Sequence, residues 1–383
     1  MNFEEHAAKP LLAKAGIAIP QGKVATSVKE AAAAATALGS VVVKAQVPTG
    51  KRGKAGGIKT ADSAAEAADA ASDILGMTIG GSVVEKVLIE QRAPIKQEYY
   101  AAILNDADSK GPLLMFSDQG GMDIEEIAQT QPDKLLHHAI DVRSGLDATD
   151  AQQLVSKLVA PDIAASLGQL LSDLYQAYAD NDAELMEINP LALLEDHSLM
   201  ALDCKFVLDD SAIKRQQELA KTGTPEQLTG RELAAQELDL KYIDLDGSIG
   251  LLANGAGLTM TTMDVITHYE GTPANFLEIG GEAYTKATEA LKLMIDNKKI
   301  KSLVVNFCGA FARTDVMTEG VINAWQELKP DIPVYFSIHG TGSVEARSML
   351  KERLGMTSFA TMDEAIQAAI AAANNATATG ASR

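Results

Sequence analysis

From Gly247 onward the chain alternates between short apolar runs and amphipathic segments of helical length, an order few folds accept. Strands are predicted at 249–253, 275–279, 302–307 and 334–338, with a short extended segment near 358–359. Helices are predicted at 258–268, 286–296, 316–328 and 344–354, with a last one at 363–373. Parallel strands joined by right-handed helical crossovers make a doubly wound α/β sheet of about five strands. Ligands of such sheets bind outside the carboxyl ends of the strands. Those ends carry Asn254-Gly255-Ala256-Gly257, Gly280-Gly281, Gly309-Ala310-Phe311-Ala312-Arg313 and His339-Gly340-Thr341-Gly342. Such turns offer N–H groups and helix dipoles to an anion, or serve only as tight turns.

The part before about residue 238 follows another rhythm. Alanine-rich helical patterns occupy 28–38 and 61–75, the first capped by Thr26 or Ser27 and the second by Asp62 or Ser63. Strands are predicted at 40–44, 83–90 and 99–104, giving an α+β arrangement. Glu187-Ile188-Asn189-Pro190-Leu191-Ala192 and Leu202-Asp203-Cys204-Lys205 read as a hairpin. A turn centred on Asp196 sets Asn189 opposite Asp203 and Glu187 opposite Lys205. Asn and Asp oxygens suit Mg²⁺, which takes one or two protein ligands and completes its shell with water and phosphate oxygens; an edge hairpin with a solvated polar face fits the same pattern.

Lys44 ends an apolar strand and leads into Thr49-Gly50-Lys51-Arg52-Gly53-Lys54-Ala55-Gly56-Gly57. Cations interleaved with glycines can wrap phosphates, although the loop lacks the Walker A order and could be a surface loop. Glu90 and Glu98 flank a predicted turn between two strands, placed either to bind nucleotide hydroxyl or amino groups or to face solvent.

At 383 residues two or three domains are expected. A net charge of −19 argues against a nucleic-acid surface but leaves room for a polyanionic ligand held by local cations. No apolar run approaches a membrane span, and the N-terminus does not resemble a signal peptide, so a cytoplasmic location is expected. Cys204 and Cys308 stand far apart, outside any metal spacing, and read as buried small residues in a reducing compartment. Of the six histidines only His339 falls on the expected ligand edge.

Several ordered motifs resemble the β subunit of succinate–CoA ligase (succinyl-CoA synthetase) and relatives such as malate–CoA ligase, nearly end to end. They are Val42-Val43-Lys44-Ala45-Gln46-Val47, Arg52-Gly53-Lys54-Ala55-Gly56-Gly57, Gly120-Gly121-Met122-Asp123-Ile124-Glu125-Glu126, Glu187-Ile188-Asn189-Pro190-Leu191, Leu202-Asp203, Asn254-Gly255-Ala256-Gly257-Leu258 and Pro273-Ala274-Asn275-Phe276-Leu277. The resemblance implies an N-terminal ATP-grasp domain over 1–238, with a subdomain inserted at about 21–104. It also implies a C-terminal flavodoxin-like CoA-ligase domain over 239–373; the small, polar residues 374–383 read as a flexible tail. Lys44, Arg52, Gly53, Glu90, Ala93 and Glu98 would line the nucleotide site, with Lys51 added from the loop's own pattern of cations and glycines, and Asn189 and Asp203 would hold Mg²⁺. Glu187 would orient a phosphohistidine, while Asn254 and Ala310-Phe311-Ala312 would lie at the carboxylate site. Pro20 matches a position where proline accompanies ATP rather than GTP.

The implied reaction is the ADP-forming synthesis of a CoA thioester, familiar from the tricarboxylic acid cycle. ATP phosphorylates a histidine, the phosphoryl group passes to a carboxylate, and CoA displaces phosphate. In this family the histidine lies in a Gly-His-Ala-Gly-like loop of a partner α subunit that also carries most of the CoA site. No histidine here has that context. The chain departs from the family at Lys51 (usually glycine), Glu282 (the third glycine of Gly-Gly-Gly), Gly309-Ala310-Phe311-Ala312-Arg313 (Gly-Gly-Ile-Val-Arg) and Ser337-Ile338-His339-Gly340 (Arg-Leu-Glu-Gly). An acyl acceptor other than succinate alone is therefore expected. A stand-alone ATP-grasp carboxylate–amine ligase would not need the glycine-rich second sheet, and a nucleotide-sensing scaffold is suggested only by the altered loops.

Overall fold

Ser27 and Ser63 start the first two alanine-rich helices in the same way. Each hydroxyl accepts a hydrogen bond from the backbone N–H three residues on, that of Glu30 (3.3 Å) or Glu66 (3.2 Å). Each glutamate reaches back to accept from the residue before the serine, Thr26 or Asp62, at 2.8 Å. The helices Val28–Leu38 and Ala64–Ile74 bury their alanine faces against a four-stranded antiparallel sheet. Its order is Gly22–Ala25, Val87–Gln91, Val41–Ala45, Ile58–Ala61.

In this computed structural model, which describes residues 1–225, 228–279 and 283–380, that layer belongs to the first of two compact units, Met1–Glu226 and Gln227–Arg383. A second antiparallel sheet completes the first unit. It runs Leu199–Ala201, Ala183–Leu194, Ile95–Asp106, Gly111–Ser117, Leu135–Ala139, with Lys205–Leu208 also paired to Ala183–Leu194. Helix Pro161–Asp180 packs Leu167, Leu171 and Leu174 into the core of this sheet.

Two expectations change here. The strand predicted at 83–90 is broken: Ser82–Val83 pairs with Thr78–Ile79, and only Val87–Gln91 joins the four-stranded sheet. The predicted turn between Glu90 and Glu98 is a link from one sheet to the other.

In the second unit the sheet order is Lys241–Asp244, Asn275–Glu278, Ile249–Ala253, Ser302–Gly309, Val334–Gly340, Ser358–Phe359. The last five are parallel and, counted along the chain, lie in the order 2-1-3-4-5 of flavodoxin-like folds. The added edge strand Lys241–Asp244 is antiparallel. Helix Gly230–Glu237 packs with that strand: Ala235 is buried in the second unit's core and Arg231 bonds Asp244 at 2.9 Å. The first unit therefore stops short of residue 238. Helix Met362–Gly380 buries Ala365, Ile366, Ala369 and Ala373 beside Ile249 and Val304, and it continues past 373, so residues 374–380 are helical rather than a loose tail. Among the described residues, no helix is long and apolar enough to cross a membrane.

Asn275 completes the sheet where the ladder is missing. The strands Ile249–Ala253 and Asn275–Glu278 pair only at Ala253 and Glu278. Fully buried, Asn275 accepts from Leu251 N–H (3.1 Å) and donates to Leu251 C=O (2.8 Å). Asn275→Leu strands both groups, at about 1–3 kcal/mol each. The single tryptophan, Trp325, sits in this unit's core and reports its unfolding. The expected result is a clearly lower denaturant midpoint by Trp325 fluorescence; an unchanged midpoint would refute the account.

Candidate active site

The hairpin forms in the expected register. Glu187 pairs with Lys205, Leu191 with Ala201 and Leu193 with Leu199, so each pair is equidistant from Asp196. A hydrogen bond from Leu202 N–H to Pro190 C=O (3.1 Å) continues that register and sets Asn189 across from Asp203.

A cleft of about 790 Å³ opens over this hairpin, within the first unit. Lys44, Lys51, Arg52, Gly53, Glu90, Ala93, Glu98, Glu187, Asn189 and Asp203 all line it, together with Glu5. One wall is a buried ion network. Lys44 Nζ lies 2.9 Å from Glu5 and 2.7 Å from Glu90, and Lys9 Nζ lies 2.8 Å from Glu5 and 2.5 Å from Glu90. Both amines also donate to the Leu202 carbonyl, at 2.5 and 2.8 Å. Arg52 bridges two carboxylates: Nη1 bonds Glu5 (2.7 Å) and the Ala45 carbonyl (3.0 Å), while Nη2 bonds both oxygens of Asp203 (2.7 and 2.6 Å). Burial pushes Glu5 up, but Lys44, Arg52 and Lys9 together hold it well below the usual carboxylate range. Burial lowers Lys44 and Arg52, yet Glu5 with Glu90 or Asp203 raises both above their ordinary values.

Glu90 is therefore neither solvent-facing nor free: its oxygens sit against Lys9 and Lys44. Glu5 and Lys9 escaped the sequence reading. Their only local signal is an i,i+4 pair on helix Glu5–Lys14.

The glycine-rich loop and the Gly120-Gly121 loop meet over the cleft. Asn189 accepts from Gly121 N–H (2.8 Å) and donates to Met122 C=O (2.9 Å). Asp123 pairs with Lys54 at 2.5 Å and lies 3.8 Å from Lys51. Gly121 has φ +70, and a Cβ there would collide with Glu98. Lys51 itself has φ 62, a left-handed conformation that glycine adopts without penalty and lysine does not. Glu187, half-buried, is pushed up by burial, drawn down by Lys205, and raised further by Asp203 and Glu125. Cys204 is buried, and burial together with Asp203 raises its thiol well above the ordinary value.

In the second unit the 2-1-3-4-5 order puts the topological switch between Ile249–Ala253 and Ser302–Gly309. Asn254 ties the two ends together, donating to Cys308 C=O (2.9 Å) and accepting from Cys308 N–H (2.8 Å). Beyond it Ala310 and Phe311 are exposed and Ala312 half-buried, with the Phe311 ring fully in solvent. Cys308 is exposed, contrary to expectation, because its strand ends at this open edge. Arg313 is paired with Asp315. His339 is the register partner of Cys308 and contacts Ser337 Oγ at 3.1 Å. Gly340 has φ +80, and a Cβ there would strike the Gly309 carbonyl, so these two turns need glycine to lie side by side. Helices Ala256–His268, Thr314–Leu328 and Ser343–Leu354 start at this edge without a side-chain cap. Gly280, Gly281 and Glu282 lie outside the described residues.

Both parts of the chain are similar to known proteins. A family model described as an ATP-grasp domain matches residues 2–193, and one described as CoA-ligase matches 252–374. The chain is 42% identical over 385 aligned positions to "Succinate--CoA ligase [ADP-forming] subunit beta" of Cupriavidus taiwanensis, covering 97% of this chain and 99% of the relative. It is 39% identical over 363 positions to the protein of the same name from Brevibacillus brevis, covering 92% and 94%. ATP citrate lyase from Methanothrix soehngenii, solved with citrate and coenzyme A, superposes with a TM-score of 0.71 over 96% of this chain and 98% of that one. At 24% identity that likeness shows the fold alone. The chain belongs to the succinate–CoA ligase (ADP-forming) β-subunit family, whose members are acid–thiol ligases.

Proposed function

We propose that this chain binds Mg·ATP in the first-unit cleft and works with an α subunit that supplies the phosphorylated histidine and most of the CoA site. The observation that carries this is the composition of the cleft wall: the buried cations Lys44 and Arg52, a glycine-rich loop, and the facing oxygen donors Asn189 and Asp203. Among the described residues no histidine lines the cleft, which suits a phosphoryl acceptor supplied from elsewhere. Lys44 and Arg52 would hold phosphate oxygens, Gly53 and its neighbours would add backbone N–H groups, and Pro20 favours ATP over GTP.

Asn189 and Asp203 fit Mg²⁺. Asn189 Oδ1 accepts one hydrogen bond and keeps a lone pair, whereas both Asp203 oxygens are engaged by Arg52 and one also by Cys204 N–H, so a metal ion would take Asp203 in competition with the guanidinium. Among the described residues no cluster of three or more His, Cys, Asp or Glu could cage a metal, which suits an ion that keeps water and phosphate ligands. When bound, Mg²⁺ would neutralise charge on the transferring phosphates. Glu187, at the cleft, would accept the N–H of the incoming imidazole and orient its other nitrogen toward phosphorus. Positioning and electrostatics then carry the transfer.

At the switch point, Asn254 would fix the Cys308 backbone while Ala310, Phe311 and Ala312 border the carboxylate. The proposed acceptor is a short carboxylate, succinate or a substituted relative such as malate. A stand-alone carboxylate–amine ligase leaves the uncapped helix starts of the second sheet without a use.

With the α subunit, Asp203→Ala should lower nucleotide-dependent thioester formation by roughly 10²–10³-fold; the isolated chain should show no turnover, and full-rate catalysis without a partner would end the proposal. Phe311→Ile should change the kcat/KM ratio between succinate and bulkier or substituted acids by roughly 10–200-fold; an unchanged ratio across a carboxylate panel would remove Phe311 from the site.

Because Glu187 has a raised folded pKa, its favourable contribution to stability is complete below the ordinary carboxylate range and is lost as pH rises through the folded value. Glu187→Gln should therefore gain stability over the native chain as pH rises from 4 to 7. A gain that grows toward acid would contradict that sign.

A further inference from the structure

The two edges of the Arg52 guanidinium are held by groups of different character. Nη1 is anchored on the inside, by Glu5 and the Ala45 carbonyl, in a place where Glu5 keeps only 2% of its surface. Nη2 is held by Asp203 alone, whose side chain remains 26% exposed. Asp203 is also one of the two oxygen donors proposed for Mg²⁺, so metal and Arg52 compete for one carboxylate. The six buried or half-buried groups Glu5, Glu90, Asp203, Lys9, Lys44 and Arg52 balance, three charges against three.

We infer that Glu5 is a positioning residue for the nucleotide site, keeping Arg52 in place when a divalent cation takes Asp203. The inference rests on the nucleotide reading above. With Nη1 fixed on Glu5 and Ala45, loss of Asp203 to the metal releases only Nη2, which is then free to donate to a phosphate oxygen. Metal and nucleotide phosphate thus exchange partners with one ion pair: Asp203 goes to the cation and Arg52 to the anion. Each event favours the other, as reciprocal linkage requires.

Without the Glu5 carboxylate, Arg52 keeps Asp203 as its only charged partner among the described residues and stays on it, in competition with the metal. Lys44 would also lose one of its two carboxylates, leaving Glu90. Lys9, which shares Glu5 and Glu90 with Lys44, keeps the inner end of the network neutral. Glu5 is too deep to serve the ligand in any other way, since its oxygens are taken by Lys9, Lys44 and Arg52.

The test is calorimetric titration of ADP into the full-length chain over a series of Mg²⁺ concentrations. Native protein should bind ADP more tightly as Mg²⁺ rises. Glu5→Gln should weaken Mg·ADP binding by about tenfold, the loss of one charge-assisted contact, and move the half-maximal Mg²⁺ concentration upward. A purely structural role would not shift that midpoint. In an Arg52→Gln background the Glu5→Gln penalty should shrink, because the partner it positions is gone.

Should Glu5→Gln fail to fold, Glu5→Asp keeps the charge and withdraws it by one methylene. It should weaken Mg·ADP binding and raise the half-maximal Mg²⁺ concentration, read well below the variant's own melting temperature so that the chain is folded throughout. Native binding that is absent altogether overturns the nucleotide reading and the inference with it. Native binding with an unshifted Mg²⁺ midpoint in the Glu5 variants, or full additivity with Arg52→Gln, overturns the role of Glu5 alone.

Discussion

Everything proposed for the first unit depends on a charge-balanced wall in which Arg52 links Glu5 to Asp203 and Lys44 links Glu5 to Glu90. Taking one ion out of water costs several kcal/mol, which only good geometry repays. Here each cation meets at least two oxygens, and the Leu202 and Ala45 carbonyls absorb remaining donors. The wall also makes stability sensitive to acid. Glu5, held below its ordinary value of 4.5, contributes stability above that pH, and loses it as pH falls through the depressed folded value. Half-buried Glu187, which has one nearby cation in Lys205 and two neighbouring carboxylates, moves the opposite way.

The hairpin was readable because its information is local. Side chains alternate on a strand, and one turn at Asp196 sets every pair from Glu187 and Lys205 inward. The second sheet was readable for a similar reason, since strand–helix alternation fixes parallel pairing. Glu5 and Lys9 were not legible. Lys9 meets Glu90 81 positions away and the Leu202 carbonyl 193 away, and nothing local marks those encounters. The exposure of Cys308 was misjudged because a strand residue is buried or open according to where its sheet ends. The edge strand Lys241–Asp244 spans only four residues and reverses the direction of its neighbours. Such a segment carries too little pattern to announce itself.

The glycine-rich loop shows a tension of another kind. A residue at 51 must adopt a left-handed backbone, and lysine does so at a cost of roughly 1–2 kcal/mol. Its amine and that of Lys54 both face Asp123, so the cost accompanies an electrostatic bond between two loops over the cleft. At the second sheet the balance differs. Gly309 and Gly340 allow two turns to touch, and Phe311 stands out beside them, fully exposed.

A wall with no net charge also governs how a ligand arrives. Its cations are cancelled at short range, so an approaching polyanion feels chiefly the exposed lysines at the rim and the −19 of the whole chain. At physiological ionic strength the Debye length of about 8 Å screens that distant repulsion but leaves the last contacts intact. Nucleotide capture should therefore quicken, rather than slow, as salt is raised from very low concentrations. That is the reverse of the behaviour of a cleft that draws its anion in from afar.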